Sequence, residues 1–335
     1  MLALHVGTYA KDGGQGLVPL AIGDDGALTS GEPFAQAANA SFGFARGDLV
    51  YLVDEQDEGA LNVLARADDT WRRVARVPTG GAAPCHLAVD RDRTRLAAAN
   101  YASGTAALFV LGADGLPQGE PALFQASGSG PNRERQEGPH AHCVRFSHGN
   151  EALYLVDLGG DQVLCLTLGR GATFADARTA WRAPPGSGPR HLLFHPRRTL
   201  AVVLSELAAT LTLLEAGDFK LRPVQAVSTP PADFAGDNLG GHLELNAEGT
   251  RVYVSNRGHD SLAVFALEQD RLELLQHVPS GGAHPRHFAL LESERLLAVA
   301  HEKDGRVTLF EIAPDGTLAP KGEGTTVPGA CFILA

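Results

Sequence analysis

The amino-acid sequence predicts an all-β fold, a seven-bladed β-propeller whose N-terminal strands complete the C-terminal blade. Three observations lead there. A unit recurs with anchors at Phe42, His86, His142, His191, His242, His287 and Phe332, spaced by roughly 44 to 56 residues, which suits a four-stranded blade and is too long for most helical solenoid repeats. Helical periodicity of useful length is nearly absent. The 39 glycines and 20 prolines supply the turns that many short strands require.

The elements follow in order along each unit. Gly/Pro-rich residues lead into a short alternating strand, as in Gly80-Gly81-Ala82-Ala83-Pro84-Cys85-His86-Leu87-Ala88-Val89-Asp90. A polar turn comes next, and then a second apolar strand such as Arg95-Leu96-Ala97-Ala98-Ala99-Asn100-Tyr101. Ala102-Ser103-Gly104 turns the chain into a third strand, Thr105–Val110, and Ala113-Asp114-Gly115 into an outer one. The same turn chemistry recurs at Asp24-Asp25-Gly26 and Pro314-Asp315-Gly316. Because the last anchor lies at the C-terminus, its blade needs strands from Leu2-Ala3-Leu4-His5-Val6, a closure that removes open sheet edges. Residues 1–335 are expected to form one domain.

Net charge −11 argues against a nucleic-acid partner held through phosphate contacts. The start lacks a basic region followed by a long apolar one, and no stretch reaches the roughly 18 apolar residues of a membrane span. A cytoplasmic chain with no membrane partner is expected. Four cysteines without CxxC spacing (Cys85, Cys143, Cys165, Cys331) read as buried thiols.

In a propeller the first strand of each blade lines the channel and the second runs back, so the start of one and the end of the other share a mouth. At strand starts stand His86, His142, Arg190 with His191, His242, and Arg286 with His287; at strand ends stand Glu55, Tyr101, Leu158, Glu206, Arg257 and Glu302. Charged and imidazole side chains at equivalent repeat positions, in units otherwise apolar or turn-forming, mark a binding cleft. The loop Ser127–Gln136, with Arg133 and Arg135, is long enough to cover it. His140-x-His142 would suit zinc but lacks further ligand spacing, so no metal is expected, and no cofactor motif is present. The pairs Gly80-Gly81, Gly240-Gly241 and Gly281-Gly282 do not lead from a strand into a helix, and read as blade-to-blade turns.

At these residues the sequence resembles, over nearly its whole length, the seven-bladed lactonase family that includes propeller-type 6-phosphogluconolactonases and fungal carboxy-muconate lactonizing enzymes. The resemblance runs through Gly7-Thr8-Tyr9, Pro84–Asp90, Ala99-Asn100-Tyr101, Arg135–His142, Val156–Asp161, Gly188-Pro189-Arg190-His191, Ser205-Glu206-Leu207, Ser255–Asp260 and Pro285-Arg286-His287-Phe288. It implies catalytic roles for His142, Arg190, Glu206 and Arg257, with His86, Arg135, His140, His191, His242, Arg286 and His287 binding substrate. The chain departs from the family pattern at His242-Leu243-Glu244, where an acidic residue, Ile and His are common.

The expected reaction is hydrolysis of a sugar lactone, 6-phosphogluconolactone in the pentose phosphate pathway being the leading substrate. Glu206 or His142 would activate water, and Arg190 and Arg257 would face the substrate anion and the oxyanion. The expected partner is thus a small-molecule lactone or an anionic sugar acid. A muconate-lactonizing cycloisomerase would use the same arginines on carboxylates, and a non-catalytic propeller that binds a protein or sugar acid is a third reading. A self-contained fold allows a monomer or a weak homo-oligomer.

Overall fold

The computed structural model describes residues 2–67 and 70–335; Met1, Asp68 and Asp69 lie outside the described residues. Among the described residues, 28 strands form seven four-stranded antiparallel sheets, six of which take their strands in consecutive order. The seventh sheet joins the two chain ends, Ala330–Leu334 pairing with Leu2–Thr8 through His5↔Leu334, Val6↔Ile333 and Gly7↔Phe332. This is the strand plan of a seven-bladed β-propeller closed as the repeat predicts.

Six of the seven anchors fall inside the first strands of their sheets (Pro84–Val89, Ala141–Phe146, Pro189–Phe194, Leu239–Leu245, Pro285–Leu291, Ala330–Leu334), and Phe42 immediately precedes Gly43–Arg46. Second strands are apolar on both faces: Ala152–Asp157, Leu200–Ser205 and Leu296–His301 are buried throughout. Such runs are what a strand covered on both faces demands. Outer strands such as Pro117–Gln125 and Lys220–Ser228 instead mix half-buried with exposed positions. Several turns into outer strands repeat one device. Asp25, Asp114 and Asp315 each accept a hydrogen bond from the amide two residues on, at 3.0 Å, and the intervening Gly26, Gly115 and Gly316 take positive φ.

The backbone groups into two compact units among the described residues, one of residues 42–192 and 216–222, the other of residues 2–41, 193–215 and 223–335. The first holds apolar clusters built on small side chains, Ala97, Ala99, Ala106 and Ala141 packing with Val144, Leu153 and Leu155. In the second, the closing sheet buries Leu4, Val6, Leu20 and Ile333 against Ala298, Ala300, Val307 and Leu309.

One expectation needs correction. Gly240-Gly241 is not a turn but part of the strand Leu239–Leu245, at an irregularity in its pairing with Arg251–Arg257. Close backbone approach explains the glycines. A Cβ on Gly240 would lie 2.8 Å from the Ser205 carbonyl oxygen, and one on Gly241 2.4 Å from Ser255 Oγ.

Candidate active site

In the unit of residues 42–192, scaffold residues fix the imidazoles before any chemistry begins. Asp157 accepts the His140 amide at 2.8 Å and the Gly160 amide at 3.0 Å, while Gln162 Nε2 donates to its other oxygen. Gly159 is required because a Cβ there would lie 1.9 Å from the Gly138 carbonyl oxygen. Asp161 accepts the amides of Gly186 and Gly188, at 2.6 and 2.8 Å, and so anchors the approach to Pro189-Arg190-His191.

The loop expected to lie over the site is pinned at its end. Gln136 is fully buried, its Nε2 donating to the Leu158 carbonyl at 2.9 Å. Arg135 donates to the Tyr101 hydroxyl at 3.2 Å, whereas Arg133 is exposed. The Tyr101 ring stacks on His140 at 4.5 Å and meets His142 edge-on at 5.5 Å. His140 Nε2 lies 3.1 Å from Glu137 Oε1.

Arg190 and His142 are both buried and share a hydrogen bond from the guanidinium NH1 to Nε2. His191 lies edge-on to both His142, at 5.4 Å, and His86, at 5.7 Å. His86 in turn stacks on Phe42 at 4.2 Å. Two thiols complete this cluster: Cys85 Sγ stands 3.8 Å from His142 Nδ1, and Cys143 Sγ 3.5 Å from His86 Nε2. Burial pushes the Cys143 thiol pKa up, so it stays protonated at neutral pH.

The other unit carries carboxylates. Arg257 closes the strand Arg251–Arg257, Glu206 follows Leu200–Ser205, and the two form an ion pair of 2.8 Å with side chains only 5% and 3% exposed. The Gly240 backbone ties them together, since its carbonyl accepts Arg257 NH2 at 2.8 Å and its amide donates to the Glu206 carbonyl at 2.9 Å. Asn256 braces the strand end by donating to the Thr229 carbonyl at 2.9 Å. Gly258 has φ +125°, and a Cβ there would lie 2.1 Å from the Asp237 carbonyl oxygen.

His242 and His287 face each other with ring centroids 3.9 Å apart, and His242 Nε2 lies 3.2 Å from Glu244 Oε1. The departure from the family pattern at 242–244 is thus an internal imidazole–carboxylate pair. Arg286 NH1 stands 3.6 Å from Glu302, whose carboxylate also meets His284 Nδ1 at 3.1 Å. Burial alone would raise the Glu302 pKa, but Arg286, His284 and Arg257 outweigh it and hold the carboxyl far below the usual range. Arg286 also lies over the Tyr9 ring at 5.2 Å, and a cavity of about 560 Å³ is lined by Lys11, His284, Glu302 and Lys303 among others.

The residues expected from the sequence thus gather within their own units: His86, Arg135, His140, His142, Arg190 and His191 in one, Glu206, His242, Arg257, Arg286 and His287 in the other. Cys85, Cys143 and His284 were missed as site residues, and Glu302 was read only as a strand-end residue. The last had a signal, since it occupies the position after its second strand that Glu206 occupies in another sheet. Among the described residues no group of three or more His, Cys, Asp or Glu side chains is arranged to hold a metal ion.

Comparison with known proteins gives this arrangement its context. The 6-phosphogluconolactonase of Bacillus subtilis is 31% identical over 319 residues, covering 92% of this chain and 90% of its own. A crystal structure of a Lactobacillus plantarum protein superposes with a TM-score of 0.91 at 29% identity, covering 99% and 98% of the two chains. The periplasmic gluconolactonase PpgL of Pseudomonas aeruginosa, at 24% identity and a TM-score of 0.89 over 99% and 98% of the chains, shares the fold. A family model described as lactonase, 7-bladed beta-propeller, matches residues 3–335, so the chain belongs to the lactonase family of seven-bladed β-propellers.

Proposed function

We propose that this protein hydrolyses the lactone of an anionic sugar acid, with 6-phosphogluconolactone as the leading substrate. The observation that carries the reading is the buried Glu206–Arg257 pair. A carboxylate and a guanidinium removed from water are costly to maintain without mutual compensation, and such groups concentrate where charge must be handled. Lactone opening needs both: a base that takes a proton from the attacking water, and positive charge facing the oxygen that becomes an oxyanion.

In this reading Glu206 is the base. Water adds to the lactone carbonyl as its proton passes to the carboxylate, the ring C–O bond breaks, the leaving alkoxide takes that proton back from Glu206, and the carboxylic acid formed ionises to release a proton to solvent. Arg257 holds Glu206 at rest and is placed to share its fork with substrate oxygens, a geometry suited to carboxylates and phosphates. Within residues 42–192, Arg190, held on the His142 imidazole, offers a guanidinium of the kind that binds an anion. The Bacillus subtilis relative supports the phosphorylated substrate.

The test is proton release followed with a pH indicator, using fresh 6-phosphogluconolactone and gluconolactone against the spontaneous blank. Acceleration with the phosphorylated lactone, reduced at least about tenfold by Glu206→Gln in a folded variant, is the expected result. Equal rates with and without protein overturn the reading.

A further inference from the structure

The first strands Pro84–Val89 and Ala141–Phe146 carry the same two residue types in opposite order, Cys85-His86 and His142-Cys143, and the side chains exchange partners between the strands. Cys85 meets His142 and Cys143 meets His86. We infer that this reciprocal thiol–imidazole exchange holds the two rings in opposite tautomers, and that Cys85 is the positioning residue that keeps His142 presenting the Nε2 lone pair to Arg190. The functional half of the inference rests on the lactonase reading above; the tautomers do not.

The assignment follows from which groups can donate. A guanidinium has no acceptor, so His142 Nε2, facing Arg190 NH1, must offer its lone pair. In the neutral ring the proton then sits on Nδ1 and points at Cys85 Sγ, 3.8 Å away. The Cys85 S–H is free to turn to the backbone carbonyls of His142 and Ala141, at 3.4 and 3.7 Å, leaving sulfur lone pairs for the imidazole. At His86 the order is reversed. The Val144 amide donates to Nδ1 at 3.5 Å, so the ring proton sits on Nε2 and points at Cys143 Sγ at 3.5 Å. The Cys143 S–H has the Val144 and Leu192 carbonyls within 4.0 Å.

Both rings and both thiols are buried, so a ring N–H that lost its sulfur would have no bulk water to replace it. A thiol is a neutral acceptor. It orients the imidazole as a carboxylate would, without placing a negative charge beside it.

Long-range nitrogen–proton NMR on the full chain, labelled with ¹⁵N-histidine and assigned by loss of signals in His142→Gln and His86→Gln, reads the tautomers directly. His142 is expected as the Nδ1–H form and His86 as the Nε2–H form. Cys85→Ala should speed solvent exchange of the His142 ring proton at least about tenfold and leave His86 unchanged, and Cys143→Ala should do the reverse. In turnover of the lactone, Cys85→Ala should lower kcat by about tenfold with KM within about twofold, while Cys165→Ala, a thiol outside this cluster, alters neither ring. Two rings in the same tautomer, or a His142 proton indifferent to Cys85→Ala, would overturn the inference. If the wild-type protein turns over no lactone, the functional reading fails while the NMR result still decides the tautomers.

Discussion

Each of the two compact units sets an arginine against a proton acceptor, but the acceptors differ in kind. In residues 42–192 the partner of Arg190 is an imidazole nitrogen, surrounded by other rings and by thiols. In the other unit the partner of Arg257 is a carboxylate, with Glu302, Arg286 and His284 forming a second charged group. The first arrangement is held by the direction of hydrogen bonds between groups that are mostly uncharged, and can be rearranged at modest cost. The second is held by charge balance in a buried setting, where removing one partner strands the other.

That contrast can be broken most directly at the arginines. Arg257→Ala should destabilise the fold by about 3–5 kcal/mol, because it leaves Glu206 buried without its counter-charge. Arg190→Ala should cost less, about 1–2 kcal/mol, since the imidazole left behind is neutral. Urea unfolding of the two variants measures the difference, and equal losses would mean that Glu206 finds other compensation.

Acid sharpens the comparison further, because His301 and Glu302 are among the groups of the carboxylate-bearing unit that resist protonation when folded. Burial holds the His301 imidazole below its ordinary 6.5, so as pH falls through that value the unfolded chain binds the proton first. The stability contributed by the neutral ring is full above pH 6.5 and shrinks below it. Glu302, held below its ordinary 4.5 despite its burial, adds a contribution that is full above pH 4.5 and is lost on further acidification. The urea midpoint should therefore fall in two stages, His301→Gln shrinking the first, to which His195 also contributes, and Glu302→Gln shrinking the second. At the small end, Arg271→Ala removes an ion pair whose side chains are 69% and 60% exposed, and should change stability by no more than about 1 kcal/mol in the same urea assay.

Much of the fold was legible because several sheets repeat the same turn chemistry. Aspartates capping the turns at Asp25, Asp114 and Asp315 recur with a following glycine, and six of the anchors fall in first strands. Gly240-Gly241 misled because a glycine pair required by a neighbouring backbone looks, in sequence, like one required by a turn. The row of residues at strand ends was legible for the same reason as the strands. The sulfur contacts were not, since Cys85 and His142 lie 57 residues apart and meet only across neighbouring first strands. His284 was hidden by its position before the first strand, where φ of +66° turns it toward Glu302.

The sheet shared by the two chain ends has a consequence for folding kinetics. Six sheets can assemble from hairpins between consecutive strands, but the Cys331 thiol reaches the Gly7 carbonyl across 324 residues of sequence. Closing a loop of that length costs on the order of 4 kcal/mol more in chain entropy than closing a four-residue turn. The terminal strand should therefore dock late in refolding and open early in unfolding. A circular permutant that joins the ends through a short linker and opens the chain in an exposed turn would make this pairing local, and would pass the slow closure to whichever sheet then holds the new ends.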